Sequence, residues 1–215
     1  MQEKQIKENE VYNCDCLELM REMVKQGIVV DWLITDPPYG INVNHNMGRR
    51  KGDKKSDYKK AYWDNARLPK EYFDLMFKVS KNQIIWGGNY YTDYLTPTPC
   101  YVIWDKMFSD EVSFAQVEIA WTNQTCSAKK VVCSPNGKED RIHPTQKPLK
   151  VIEFCLNKFT KEGDLIFDPF MGSFTTAVAC HKMQRRFIGA ELDKEYFEKG
   201  QERLNAVKAQ TSIFD

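Results

Sequence analysis

The sequence predicts an α/β fold, in which a mostly parallel sheet of seven strands, one of them antiparallel, carries helices on both faces. The first observation is that short segments rich in apolar, β-branched and aromatic residues alternate with segments whose apolar residues recur at helical spacing. This alternation is typical of parallel sheets that are buried on both faces. The second is that 215 residues with a hydrophobic content of 42% suffice for one domain with a sizeable core.

The predicted strands, in chain order, are EVYNC, VDWLIT, NQIIW, CYVIW, VEIAWT, DLIFD and RFIGAEL. CYVIW and VEIAWT are separated only by a loop, so we expect these two strands to pair antiparallel. Ser173 and Asp193 are placed to cap the last two of the five predicted helices, which cover residues 17–25, 69–81, 148–161, 173–183 and 193–208.

Two segments show neither the helical nor the strand pattern of apolar residues, and we predict that both are mobile loops. Residues 40–65 are rich in Gly, Asn and Lys, and residues 123–141 contain the turn signal Ser-Pro-Asn-Gly. Loops of this length in a compact domain are usually functional or disordered. Residues 47–60 hold seven Lys and Arg residues against two Asp, a local net charge of +5 in a chain whose total is +1. The first loop therefore carries the concentrated positive charge of the chain and is predicted to contact phosphates.

The composition bears on location and on metal binding. The N-terminal segment MQEKQIKENE lacks the apolar stretch of a signal peptide, and no apolar run approaches the length that spans a membrane. The seven cysteines are scattered, without a C-x-x-C pair or zinc-finger spacing, which favours reduced thiols over a metal site. We therefore expect a soluble cytoplasmic protein that binds no membrane and no metal.

The sharpest motif is Asp36-Pro37-Pro38-Tyr39, which comes directly after the predicted strand VDWLIT. Ligands of open α/β sheets bind at the carboxyl ends of the strands. The two prolines hold the chain extended, so that the Asp36 carboxylate and the Pro37 carbonyl can point into the cleft. Hydrogen-bond acceptors beside an aromatic ring suit a planar group that bears an NH2.

A second motif is FDPFMGS at residues 167–173, which ends the predicted strand DLIFD and opens a helix. At such a place a turn and a helix N-terminus can embrace a polar ligand. The next predicted strand ends at Glu191, and an acidic residue there can accept the hydroxyls of a ribose. The two elements together predict a nucleoside-binding half of the sheet.

Four motifs, in this order, make the chain resemble the amino-group (N6-adenine or N4-cytosine) DNA methyltransferases of the β class, in which the catalytic half precedes the cofactor half. DPPY is similar to the family's catalytic D-P-P-Y, and the loop that begins at Phe167 is similar to its D-P-F-x-G-S-G-T-T. HPTQKP, ending at Pro148, resembles the family's H-P-T-Q-K-P, and NCDC, ending at Cys16, resembles its G-D-C segment.

The resemblance spans nearly the whole chain and implies a Rossmann-like class I methyltransferase fold that uses S-adenosyl-L-methionine. It implies a cytoplasmic enzyme of bacterial or phage origin whose partner is DNA, with a second copy of the chain as a candidate partner. It also implies one permuted domain over residues 1–215, with a catalytic half at about 1–122, a variable loop at 123–141, a cofactor half at 142–208 and a mobile basic loop at 40–65.

The resemblance assigns roles to single residues, and the charge pattern adds a DNA-binding set. Catalysis would rest on Asp36, Pro37, Pro38 and Tyr39. Asp15 and Cys16 would hold the cofactor adenine, Glu191 its ribose, Lys147 and Thr145 its carboxylate, and its methionine side would be lined by Asp36, Asp168, Phe170, Gly172 and Ser173. The predicted DNA-binding residues are Arg49, Arg50, Lys51, Lys54, Lys55, Lys59 and Lys60.

Phe174 departs from the family pattern, because the second glycine of G-S-G-T-T usually stands there. Glycine permits close approach of the backbone to a ligand. A phenylalanine can adopt helical geometry after Ser173, but its ring must either enter the core or lie over the cofactor. The substitution therefore bears on cofactor affinity and on activity.

The predicted reaction is methyl transfer to N6 of adenine in a specific DNA sequence, after the base has flipped out of the duplex onto Tyr39. Asp36 favours adenine, because family members that act on N4 of cytosine usually carry Ser before the two prolines. N4-cytosine methylation is the nearest alternative, whereas enzymes acting on RNA or on protein glutamine tend to carry Asn there. An alternative of another class is a catalytically silent nucleic-acid-binding subunit, for which Phe174 is the main support.

Overall fold

A computed structural model describes residues 5–41, 66–109, 115–135, 142 and 146–211. Several predicted site residues lie outside these described residues, namely Thr145 and the whole basic set of Arg49, Arg50, Lys51, Lys54, Lys55, Lys59 and Lys60. Their roles therefore stay predictions.

Strands and helices alternate along the described chain, as the sequence pattern indicates. The strands are β1 (Glu10–Asn13), β2 (Val30–Thr35), β3 (Ser80–Trp86), β4 (Tyr101–Asp105), β5 (Val117–Thr122), β6 (Lys129–Val132), β7 (Leu165–Asp168) and β8 (Arg186–Glu191). The helices are α1 (Cys16–Lys25), α2 (Lys70–Lys78), α3 (Leu149–Phe159), α4 (Thr175–Lys182) and α5 (Lys194–Thr211), and a 3-10 turn covers Gly88–Tyr90.

The strands form one sheet in the order β1-β8-β7-β2-β3-β5-β4-β6. Strand β5 runs antiparallel to both of its neighbours, β3 and β4, while all other pairs of the described strands are parallel. The predicted antiparallel pairing of CYVIW with VEIAWT is thus confirmed. The predicted α/β class, with a mostly parallel sheet and one antiparallel strand, is confirmed with it.

The sheet has one strand more than predicted, because β6 lies within the segment that we expected to be a loop throughout. It pairs in parallel with β4, with Val102 opposite Lys129. Only Val131 of its four residues, KKVV, is buried. A four-residue edge strand with two lysines is too short and too polar to show a strand period, so the pairing with β4 decides its structure.

The core lies on both faces of the sheet. In β2, Trp32 and Ile34 pack on the face that carries α3, α4 and α5, and Leu33 packs on the face that carries α1 and α2. Since both faces are buried, the strand reads as a continuous apolar run in the sequence. The helices thus cover the faces, and the strand ends are left to form a site.

Two local predictions can be compared directly with the structure. The Asp193 side chain accepts hydrogen bonds from the backbone N–H groups of Glu195 and Tyr196, so it caps α5 as predicted. Cys100 and Cys126 form a disulfide, so the prediction of reduced thiols is wrong for this pair. Cys100 immediately precedes β4 and Cys126 follows β5, and the antiparallel pairing of these strands brings the two Cα atoms to 5.1 Å.

Membrane spans and metal sites can be assessed for the described residues. None of the helices there combines the length and the apolar character needed to cross a bilayer. No group of three or more His, Cys, Asp or Glu side chains in the same ranges is arranged to hold a metal ion.

Candidate active site

A cavity of about 1210 Å³ lies at the carboxyl ends of five parallel strands. Each strand contributes at least one polar or aromatic residue to its wall. These are Asp15 after β1, Asp36 after β2, Trp86 at the end of β3, Asp168 at the end of β7 and Glu191 at the end of β8. The sheet topology therefore brings together residues that lie far apart in the sequence, as expected for an open α/β sheet.

The part of the wall formed after β1 and β8 carries two carboxylates that are held by backbone N–H groups. Asp15 caps α1 and accepts a hydrogen bond from the N–H of Leu17 at 2.8 Å. Glu191 accepts one from Gly172 at 2.7 Å and one from Asp193 at 2.8 Å. Burial is the main cause that raises the pKa of Glu191. Both carboxylates are thus fixed in position before any ligand binds.

Asp168 is a buried carboxylate with three hydrogen-bond donors. Thr35 and Thr176 donate through their hydroxyls at 2.7 Å and 2.6 Å, and the N–H of Phe170 donates at 3.1 Å. Desolvation nevertheless dominates and raises the pKa of Asp168 to about 6. A carboxylate with such a pKa gains from a nearby cation, which would restore its ionised form.

Phe174 adopts the backbone conformation for which glycine is usually needed. Its φ is 59° and its ψ is 24°, and it stands at the N-cap of α4, where Ser173 was expected. The expectation of helical geometry at Phe174, and of Ser173 as the cap, is therefore wrong, because the turn from β7 into α4 requires a left-handed residue. The ring is fully buried in the core. Its centroid lies 5.8 Å from that of the Phe197 ring, and the two ring planes make an angle of 69°. The ring does not lie over the cavity.

Both oxygens of the Asp36 carboxylate are occupied. The Tyr39 hydroxyl donates to Oδ1, and Lys147 Nζ lies 2.6 Å from Oδ2. Burial raises the pKa of Asp36, and the charge of Lys147 acts against that rise. The ring of Tyr39 is stacked on that of Tyr90 with centroids 4.7 Å apart, so one of its faces is already covered.

The position of Tyr39 depends on a glycine and on a second tyrosine. Gly87 has a φ of 66°, and a Cβ there would lie 2.0 Å from the Tyr39 ring. Tyr91 donates its hydroxyl to the carbonyl of Pro38. The Asp-Pro-Pro-Tyr segment is therefore held by the end of β3 and the turn that follows it.

Two charged residues that the sequence reasoning missed complete this cluster. Glu118, on β5, has Oε2 at 2.9 Å from Lys147 Nζ and Oε1 at 2.6 Å from Lys106 Nζ. The two lysines lower the pKa of Glu118 to about 2. A glutamate in the otherwise apolar strand VEIAWT was a usable signal, since a charged residue in a buried strand needs a partner.

The structure brings together ten of the twelve predicted site residues that it describes. Those that line the cavity are Asp15, Cys16, Asp36, Pro38, Lys147, Asp168, Phe170, Gly172, Ser173 and Glu191. Pro37 and Tyr39 are not part of the wall, although Tyr39 contacts Asp36. Lys147 was expected at the cofactor carboxylate, and here its ammonium lies between two carboxylates of the protein.

Known proteins resemble this chain in part or over nearly all of its length. The N6/N4 methyltransferase family model, described as "DNA methylase", matches residues 96–202. This stretch contains Glu118, Lys147, the loop with Phe174, and Glu191, whereas Asp36 lies before it. "Putative methylase YubD" of Escherichia coli (strain K12) is 26% identical over 209 residues, which are 90% of this chain and 89% of that protein.

A second relative matches over a shorter region. The type II methyltransferase M2.DpnII of Streptococcus pneumoniae is 44% identical over 91 residues, which are 42% of this chain and 31% of that protein. This chain therefore covers about a third of that relative.

Two solved structures share the fold. The M1.HpyAVI–SAM complex superimposes with a TM-score of 0.64 and 24% identity, covering 91% of this chain and 98% of that one. The cytosine-N4-specific PvuII DNA methyltransferase gives a TM-score of 0.60 and 15% identity, over 94% and 92% of the two chains. These sequence matches support the amino-methyltransferase family of DNA methylases for this chain, and its sheet has the class I methyltransferase fold.

Proposed function

We propose that the chain transfers a methyl group from S-adenosyl-L-methionine to the N6 amino group of adenine in a specific DNA sequence, on a base flipped out of the duplex. The observation that carries the proposal is the shared cavity. The Asp36 carboxylate, suited to an amino group, lines the same cavity as Glu191 and Asp168, which are suited to a nucleoside and to a cation.

The residues present fit this cofactor. Three buried or half-buried carboxylates in one cavity favour a positively charged ligand, because each of them is otherwise costly to desolvate. Each oxygen of Glu191 accepts one N–H and keeps lone pairs for ribose hydroxyls. The cavity exceeds the usual size of a small-molecule site, which leaves room for a base beside the cofactor. When bound, S-adenosyl-L-methionine supplies an electrophilic methyl group.

Individual cofactor residues keep the roles that the family resemblance implies, with one change. Asp15 and Cys16 hold the adenine, Glu191 the ribose, and Thr145 the carboxylate, while the methionine side is lined by Asp36, Asp168, Phe170, Gly172 and Ser173. Lys147 is assigned to Asp36 rather than to the cofactor carboxylate, because its ammonium contacts Asp36 and Glu118 and its side chain is only 7% exposed.

Asp36 and Pro37 orient the nucleophile. The amino nitrogen of adenine is a poor nucleophile, because its lone pair is delocalised into the ring. Hydrogen bonds from its two N–H groups to Asp36 Oδ1 and to the Pro37 carbonyl favour a pyramidal nitrogen and aim the lone pair. Tyr39 donates one hydrogen bond to Oδ1, which keeps a lone pair for the amine when the base enters. Oδ1 can then accept the proton that the nitrogen loses.

Two residues, Asp36 and Phe174, bear on the choice between the competing functions. Amine chemistry at N4 of cytosine would use the same acceptors, and Asp36 before the two prolines favours adenine. The catalytically silent subunit loses its main support, because the ring of Phe174 is packed in the core and leaves the cavity open. The basic residues from Arg49 to Lys60 are proposed to contact the phosphates of DNA.

Mass spectrometry of methylated DNA tests the function. The purified protein is incubated with S-adenosyl-L-methionine and genomic DNA that lacks modified bases, and the DNA is digested to nucleosides. We expect N6-methyladenine from the parent and a strongly reduced amount when Asp36→Ala replaces it. N4-methylcytosine as the product would establish the alternative base. No methylated nucleoside, despite measured cofactor binding, would favour the silent subunit.

A further inference from the structure

Four charged side chains of alternating sign form a row that ends at Asp36. Lys106 contacts Glu118 at 2.6 Å, Glu118 contacts Lys147 at 2.9 Å, and Lys147 contacts Asp36 at 2.6 Å. The side chains of Lys106 and Lys147 are 14% and 7% exposed, so little water reaches either ammonium. Nearly buried pairs of this kind are coupled strongly, because the surroundings screen them poorly.

The row is assembled by four parts of the fold, and Lys106 directly follows β4. Asp36 follows β2, Glu118 lies on the antiparallel strand β5, and Lys147 directly precedes the N-cap of α3. Two tryptophans lie beneath the ammonium groups, with Trp86 at 5.0 Å from Lys147 and Trp104 at 5.3 Å from Lys106. These rings support the two lysines in place.

We propose that Glu118 is a positioning residue for the methyl transfer, which keeps Asp36 an effective acceptor by sharing the Lys147 ammonium with it. This inference rests on the proposed function of Asp36. Without Glu118, Lys147 would have Asp36 as its one carboxylate contact among the described residues. The Asp36 negative charge would then be drawn toward Oδ2, away from the Oδ1 atom that receives the amine.

The electrostatics around Asp36 agree with this geometry. Among the residues that the structure describes, the charged and titratable groups that face it are Tyr39 from its own segment, Lys147, Glu118 from β5 and Asp168 from β7. The charge of Lys147 lowers the pKa of Asp36, and that of Glu118 raises it. The two residues therefore act on Asp36 in opposite directions.

Because Glu118 and Lys147 shift the Asp36 pKa in opposite directions, the variants Glu118→Gln and Lys147→Gln test the inference. The Asp36 pKa is followed in the parent and in both variants by NMR of ¹³C-labelled aspartate carboxyls, with Asp36→Asn used for assignment. We expect Glu118→Gln to lower the Asp36 pKa and Lys147→Gln to raise it. This measurement needs neither DNA nor turnover, so it decides the coupling even if the parent methylates no DNA and the proposed function fails.

Turnover supplies the second readout. Glu118→Gln should lower kcat roughly 10- to 100-fold and move the acidic limb of its pH profile to lower pH, with an unchanged Kd for S-adenosyl-L-methionine. Glu118→Asp, which keeps the charge, should restore most of the rate. Glu8→Gln is the matched control, since Glu8 forms an exposed ion pair with Arg186 outside the cavity wall.

Three results would overturn the inference. One is an Asp36 pKa that is the same in Glu118→Gln as in the parent. Another is a kcat of Glu118→Gln no lower than that of Glu8→Gln. The third is a loss of cofactor affinity as large as the loss of kcat, because Lys147 and Glu118 would then serve the cofactor and not Asp36.

Discussion

The ring of Phe174 occupies the space that a side chain on Gly200 would need. A Cβ on Gly200 would lie 2.2 Å from Cδ1 of Phe174. The turn from β7 into α4 and helix α5 are therefore in direct contact at this point, with the ring fully buried between them. The residue that departs from the family pattern is thus matched by a glycine 26 positions later in the chain.

Phe174→Gly should leave the affinity for S-adenosyl-L-methionine unchanged and lower stability. Glycine accepts the left-handed conformation without strain, which returns about 1 kcal/mol, but loss of the buried ring costs about 3–5 kcal/mol. We expect a net loss of about 2–4 kcal/mol in the free energy of unfolding. Urea denaturation and calorimetric titration with the cofactor measure the two quantities.

Gly200→Ala is the partner variant in this test. Alone it should destabilise the protein by about 1–3 kcal/mol, because the methyl group overlaps the ring. Combined with Phe174→Gly it should cost almost nothing more, so the two changes are not additive. Tighter cofactor binding by Phe174→Gly would instead mean that the ring hinders the site.

Asp36→Ala should reduce methyl transfer by about 10²- to 10³-fold or more while the fold is retained, because it removes an acceptor that matters most in the transition state. Single-turnover transfer of a labelled methyl group to DNA measures the loss, and circular dichroism checks the fold. Asp36→Asn is the conservative control, which keeps the size of the side chain but not its charge. Near-normal turnover in either variant would contradict the mechanism.

Cofactor binding should weaken at acidic pH through Asp168. Its pKa is raised to about 6 in the free protein, and a cationic ligand favours the ionised form, so binding must release a proton below that pH. Affinity should be constant above about pH 6 and fall by about tenfold per pH unit below it. Calorimetric titration between pH 4.5 and 8, at steps of about half a unit, measures this dependence.

The variant Asp168→Asn tests whether Asp168 is the group that causes the pH dependence of cofactor binding. That variant should bind the cofactor more weakly at neutral pH and lose the pH dependence near 6. Asp36→Asn should keep it if Asp168 is the responsible group. A profile that stays flat in the parent down to pH 4.5, which lies below the pKa of Asp168, would rule out a direct charge contact with the cofactor.

Replacing Arg49, Arg50, Lys51, Lys54 and Lys55 by Ala should weaken DNA binding and flatten its salt dependence. Each lost phosphate contact lowers the slope of log affinity against log salt by about one. Fluorescence anisotropy over a range of salt concentrations measures that slope. Affinity for the cofactor alone should not change, because its proposed residues lie on other segments. An unchanged salt slope would assign DNA docking to other surfaces.

Local patterns in the sequence account for most of the fold. All seven predicted strands are present, because apolar runs of five to seven residues between helical segments are a strong signal for buried strands. Strand β6 was not predicted, since only one of its four residues is buried and its pairing with β4 supplies its order. The disulfide between Cys100 and Cys126 was missed for a related reason, because a spacing of 26 residues gives no sign of proximity.

The sequence by itself determined the α/β class, the order of the motifs and the residue types that line the cavity, because each of these depends on short-range patterns. Only the tertiary structure decided that Glu118 and Lys106 join Lys147 and Asp36, since that contact depends on the position of β5 in the sheet. It also decided where the ring of Phe174 goes. A side chain finds its place among neighbours that are distant in sequence, and packing and burial fix that choice only after the sheet has formed.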